Sequence, residues 1–175
     1  TAFTSLNNNI GVVSMGVGSI TSLKCEKFKG SSAMYTVPDA VAMLKPKRII
    51  ICYGTNNLSG SSTDATNYIK TYLQGLQAIQ TAWPYCDIIV SAIPPLDRQR
   101  ENMNLTMTQV DAYNAALVQM CEENGFKFLN SAEVLRDDAT GWAKKDYTLS
   151  DGVHLSKEAV TAYFTYVRTH AYAAE

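Results

Sequence analysis

A chain of 175 residues, 46% hydrophobic and 18% charged, has the length and composition of one globular domain with a core of its own. Its net charge of −1, without a block of like charge, gives no footprint of a nucleic-acid or membrane-surface binder. No apolar run approaches the roughly 20 residues of a spanning helix.

Cys25, Cys52, Cys86 and Cys121 are widely spaced without a CxxC pair. They read as free thiols, with Cys52 and Cys121 buried inside apolar patterns, and not as metal ligands or a disulfide framework. The chain begins at Thr1 and shows no signal segment. An upstream signal removed in maturation would put the protein outside the cell or on its surface.

In chain order, residues 1–9 read as the end of a helix running into an Asn-rich turn. Ile10 to Ser14 is expected to be a short strand, followed by the glycine-rich turn Met15-Gly16-Val17-Gly18-Ser19. Thr36 caps a helix with Pro38 in its first turn, and Lys45-Pro46-Lys47 stops it. Arg48 to Tyr53 is nearly all apolar, as expected of a strand covered on both faces of a parallel sheet. Residues 64–82 carry Tyr68, Ile69, Tyr72, Leu73, Leu76 and Ile79 at helical spacing. Asp87 to Ile93 is the next buried strand, closed by Pro94-Pro95, and 96–106 is a polar loop. Thr108 and Asp111 resemble a capping box for a helix to about Glu123, stopped by Asn124-Gly125. A short strand follows at 126–129, then a turn or short helix at 131–137 and an irregular stretch at 138–150. Ser156 caps the last helix, with Ala159, Val160, Tyr163, Phe164 and Val167 as its core stripe. Helix-length crossovers between buried strands predict a single three-layer α/β/α domain with a parallel sheet.

Ligand-binding residues in such sheets gather on loops at the carboxyl ends of the strands. Three candidates fall there. Asp151-Gly152-Val153-His154 offers an imidazole with a carboxylate three residues before it, which fits a general base and its orienter. The same residues also suit a turn and a helix cap. Gly54-Thr55-Asn56-Asn57 offers a tight turn and an Asn side chain able to donate to a developing oxyanion, and equally describes a polar turn. Gly16 offers a backbone N–H or simply a bend. His170, near the end of the last helix, reads as a solvated cation.

Taken together, in this order and spacing over residues 10–165, the three blocks resemble the SGNH (GDSL-type) hydrolases. These are ester hydrolases on a flavodoxin-like α/β/α fold, with a Gly-Asp-Ser block, a glycine block, a Gly-x-Asn-Asp block and a late Asp-x-x-His block. The resemblance implies Gly16 and Asn56 as oxyanion donors, His154 as base and Asp151 as its orienter. Asn57 stands where the family usually has Asp, and Ser14 where many members carry Asn. No Gly-Asp-Ser occurs in the chain. Phe3-Thr4-Ser5-Leu6-Asn7 is superficially similar, but only four residues precede Ser5 and ten separate it from Gly16, too few for a strand, a helix and another strand. The nucleophile is therefore expected upstream of Thr1, together with the first strand, and Ser5 is the lesser candidate.

The activity implied is two-step acyl transfer on a small acyl or acetyl ester, with no cofactor and no metal. The polar loop 96–106 favours a hydrophilic substrate such as an acetylated carbohydrate. Nothing in the residues indicates an oligomeric state. Two alternatives stand beside it. Val12-Val13-Ser14-Met15-Gly16 resembles a nucleophile elbow whose first glycine is replaced, which would make Ser14 the nucleophile of an α/β-hydrolase. Without a nucleophile, the fold would be a non-catalytic domain binding a carbohydrate or acyl ligand. A flavodoxin-like nucleotide binder fits less well, because Gly16-Val17-Gly18 lacks the third glycine and the acidic partner.

Overall fold

The computed structural model describes residues 10, 12–28, 30–101 and 104–170. Three apolar runs form its sheet: β1 (Arg48–Ile51), β2 (Asp87–Ser91) and β3 (Lys127–Leu129). All neighbours are parallel in the order β1-β2-β3, with Ile50 opposite Ile89 and Val90 opposite Phe128. Parallel neighbours need a long crossover, so a helix fills each gap. These are α2 (Thr66–Ala82) between β1 and β2, and α3 (Met107–Asn124) between β2 and β3. Helix α1 (Val37–Leu44) precedes the sheet, and α4 (Ala132–Leu135) and α5 (Lys157–His170) follow it.

The helix ends follow local chemistry. Thr36 accepts the Asp39 amide at 3.4 Å to start α1, and Lys45, at φ 49°, ends it. Helix α3 starts two residues earlier than the Thr108–Asp111 pattern predicts. Thr106 is its cap, accepting the Gln109 amide at 3.1 Å, because Thr106-x-x-Gln109 has the same capping-box spacing one turn-fraction upstream. Gly125, at φ 71°, closes it. Ser156 caps α5 as expected, accepting the Ala159 amide at 3.2 Å.

Alternate residues of β2 face opposite ways. Ile88 and Val90 enter the main core with Val41, Tyr72, Leu76 and Leu117 from α1, α2 and α3. Ile89 points to the other face, where it meets Leu129 and is covered by Tyr166 and Val167 of α5. Helices thus cover both faces, giving the three-layer α/β/α arrangement expected. Full burial of each large apolar side chain is worth roughly 1.5–3 kcal/mol, so these two layers hold the sheet in place.

Three further expectations fail among the described residues. Residues 10 and 12–14 form no strand; Val12 to Met15 is a turn closed by Met15 N–H on the Val12 carbonyl at 3.2 Å, with Val13 92% exposed. Within α5, Ala159 is buried, but Val160 and Phe164 are exposed, so two of the five residues of the expected stripe are uncovered. Cys52 is exposed although an apolar strand pattern surrounds it, while Cys121 is buried. The exposure of Cys52 does not extend to its sulfur, which lies 3.5 Å from the Ala92 carbonyl, and desolvation there pushes the Cys52 thiol up to about 11. β1 is an edge strand of the described sheet. Ile49 and Ile51 face the main core, whereas Ile50 is left exposed.

Candidate active site

Asp151 and His154 share one tight turn. The Asp151 carboxylate accepts the amides of Val153 at 2.8 Å and His154 at 2.9 Å through Oδ1, and contacts His154 Nδ1 at 2.6 Å through Oδ2. The two amide bonds, and then the ring bond, hold the carboxyl down at about 2. With Nδ1 engaged, Nε2 points its lone pair or proton elsewhere and has no partner among the described residues. The His154 side chain is 76% exposed.

The turn is locked from behind. Gly152 has φ +69°, and a Cβ there would lie 2.7 Å from the Arg100 Cβ, so the residue must be glycine. Its carbonyl accepts the Asp97 amide at 2.9 Å, its amide donates to Leu149 at 2.9 Å, and Leu149 in turn donates to the His154 carbonyl at 2.7 Å. The loop leaving β2 therefore clasps the loop that carries the histidine.

Asn56 and Gly16 form a second cluster. Gly54, at φ +151°, turns the chain out of β1; a Cβ there would fall 2.4 Å from the Ile93 side chain. Thr55–Asn57 then makes one 3-10 turn, and Asn56 Nδ2 donates to the Met15 carbonyl at 3.1 Å. One of its two N–H groups is thereby spent on orientation and the other remains. Asn57 Oδ1 accepts the Val17 amide at 3.2 Å. The two neighbouring asparagines thus tie the Gly16 segment to the end of β1 from both sides.

Both clusters stand on loops that follow the carboxyl ends of the strands or adjoin such a loop. No hydrogen bond or ion pair joins Asn56 or Gly16 directly to Asp151 or His154 among the described residues. Ser5 lies outside the described residues. Ser14 is exposed at φ 63° in the Val12–Met15 turn, without the strand that a nucleophile elbow requires, and makes no bond to His154. His170 is exposed on α5, its ring stacked on Tyr166 at a centroid distance of 3.9 Å.

Two contributors escape sequence reasoning. Asn57 reads as a turn former until Val17 is seen against it. Asn114 pins the chain beyond β2, accepting the Ile93 amide at 2.8 Å and donating to the Ile93 carbonyl at 3.1 Å. Its one signal is a polar residue on the apolar stripe between Val110 and Leu117. Among the described residues no cluster of His, Cys, Asp and Glu is placed to hold a metal ion, and no helix is long and apolar enough to cross a membrane.

Solved structures share this fold. A carbohydrate esterase family 3 protein from Talaromyces cellulolyticus superposes with a TM-score of 0.64 at 17% identity, over 90% of this chain and 67% of that one. A GDSL-like lipase from Bacteroides thetaiotaomicron gives 0.59 at 18%, over 74% and 64%. A peptidoglycan O-acetylesterase gives 0.61 at 13%, over 77% and 40%. The chain thus spans about two thirds or less of the length of these proteins. No curated protein matches it. The family model of the GDSL-like lipases and acylhydrolases matches residues 4–161, nearly the whole chain, and the chain belongs to that family.

Proposed function

We propose that the protein is a serine-type hydrolase of small acyl esters. The observation that carries this is the His154–Asp151 pair, bonded at 2.6 Å with Nε2 left without a partner among the described residues; Asn56, held by the Met15 carbonyl, supports it as a donor for an oxyanion. In the first step a serine Oγ attacks the ester carbonyl carbon while His154 Nε2 takes its proton. Asp151 keeps the ring in the tautomer that can accept it and offsets the charge that develops. The carbonyl oxygen, now negative, is met by the remaining Asn56 N–H and the Gly16 amide. Collapse breaks the bond to the alcohol oxygen, which leaves with the proton from His154. Water then attacks the acyl-serine, with His154 as base again.

We extend the reading to the nucleophile: a serine at the carboxyl end of a strand lying along the outer edge of β1, carried by polypeptide that precedes Thr1. The uncovered surface supports it. A strand buried on both faces should not show Ile50 and Cys52 to solvent, nor should α5 show Val160 and Phe164. A strand on that edge would cover the sheet side, and its end would fall beside the loop after β1, where Asn56 stands. It would also give residues 10–14 a partner to pair with.

The lack of any serine bonded to His154 among the described residues favours a second reading, a domain that binds a carbohydrate or acyl ligand without turnover. Hydrolysis of p-nitrophenyl acetate by this chain and by a polypeptide extended upstream separates the two. Turnover confined to the longer form is the expected result; silence in both would leave the binding domain.

A further inference from the structure

The main chain leaving β2, Ile93-Pro94-Pro95-Leu96-Asp97, touches both the turn that carries Asn56 and the turn that carries His154. It begins where the sheet ends. The Ala92 amide still bonds the Leu129 carbonyl at 3.0 Å, whereas Ile93 pairs with no strand among the described residues. One side chain meets both of its peptide groups instead. Asn114 Oδ1 accepts the Ile93 amide at 2.8 Å, and Asn114 Nδ2 donates to the Ile93 carbonyl at 3.1 Å. A carboxamide offers one acceptor and one donor side by side, so α3 supplies here what a neighbouring strand would.

Beyond Ile93 the segment has little freedom. Pro94 and Pro95 fix φ at about −65° at consecutive positions, and a residue before a proline is confined to extended backbone. Ile93 and Leu96, on either side of the proline pair, are buried. Each end of the segment then holds one part of the site. The Ile93 side chain lies against Gly54, where a Cβ would fall 2.4 Å from it, and Gly54 starts the turn that presents Asn56. At the other end the Asp97 amide bonds the Gly152 carbonyl at 2.9 Å, inside the turn that joins Asp151 to His154.

We propose that residues 93–97 are a rigid strut that sets the separation between the base and the oxyanion donor, and that Asn114 is its positioning residue. The inference rests on the acyl-transfer reading above. In that chemistry Nε2 of His154 and the spare N–H of Asn56 serve one tetrahedral centre, and an error of about 1 Å in their spacing can cost 10²-fold in rate. Asn114 touches neither the substrate nor the reacting atoms. It acts through Ile93, by holding the origin of the strut against the oxyanion turn.

Asn114→Asp tests it, since the carboxylate keeps the volume and the acceptor but turns an oxygen toward the Ile93 carbonyl in place of the donor. In the ¹⁵N-labelled chain, the Asn56 side-chain amide and the Gly152 and His154 backbone amides are expected to shift together, while Gly125 at the far end of α3 does not move. In the full natural polypeptide, kcat for a small acyl ester should fall about 10–10²-fold with KM little changed. Pro94→Gly loosens the strut with Asn114 in place and should give the same split, which decides the matter if Asn114→Asp does not fold. Met120→Ala removes core packing from the same helix and should lower the urea midpoint with kcat unchanged, which separates positioning from loss of stability. Shifts confined to the surroundings of Ile93, shifts in only one of the two turns, or an unchanged kcat in both strut variants would overturn the proposal. A full polypeptide that hydrolyses no ester would count against acyl transfer, while the amide shifts alone decide whether the strut couples the two turns.

Discussion

Asp151 accepts three hydrogen bonds from groups within three residues of itself, and each favours its ionised form. Its folded value, about 2, lies below the ordinary 3.8, so it contributes stability that is present above 3.8 and lost as pH falls through about 2. Asp151→Asn lacks that contribution. Urea unfolding of the two proteins should therefore show a stability gap at neutral pH that closes as pH is lowered toward 2; a gap independent of pH would mean the carboxylate is not held this way. Asn56 is different in the proposed reading, where its spare N–H acts only once charge develops on a substrate oxygen. Asn56→Ala should lower kcat by about 10²–10³ with KM little changed, measured in steady-state hydrolysis of a small acyl ester. The dyad is legible in the sequence because its partners are three residues apart and the turn that joins them is local. The bonds from Asn56 to Met15 and from Asn57 to Val17 are not, because they span 41 and 40 residues and exist only after the sheet has formed.

The elements repeat this division between local and distant causes. Caps, stops and periodicity located α1, α2 and α5 to within a few residues, and even the displaced start of α3 is a choice between two nearby threonines with similar spacing to a polar partner. The run at 10–14 failed for the opposite reason. Val12 and Val13 have the side chains of a strand, but a strand exists through its neighbour, and the described residues provide none there. Loop geometry is set by packing that no local pattern reveals. Gly152 has to be glycine because of the Arg100 side chain as much as its own φ of +69°. Gly152→Ala is therefore expected to cost roughly 1–3 kcal/mol, read from the urea midpoint, and to impair catalysis by displacing the histidine loop. An unchanged midpoint would show that the clasp between Asp97 and Gly152 is dispensable.

At the scale of the molecule, the parallel sheet and its two helical layers follow from the alternation of apolar strands and amphipathic helices, and the sequence pattern was sufficient for both. The open side was not foreseen. The apolar stripe of α5 and the apolar run at 48–53 predict full cover, whereas the structure leaves Val160, Phe164, Ile50 and Cys52 exposed. In the proposed reading, a strand that brings the serine would both cover Ile50 and give Nε2 of His154 its partner. Labelling of the full natural polypeptide with a fluorophosphonate, followed by mass spectrometry of its peptides, tests this most directly. A single adduct on a serine that precedes Thr1 is expected, absent when His154→Ala is treated in the same way. No adduct, an adduct on Ser5 or Ser14, or one that forms equally well without His154 would contradict it.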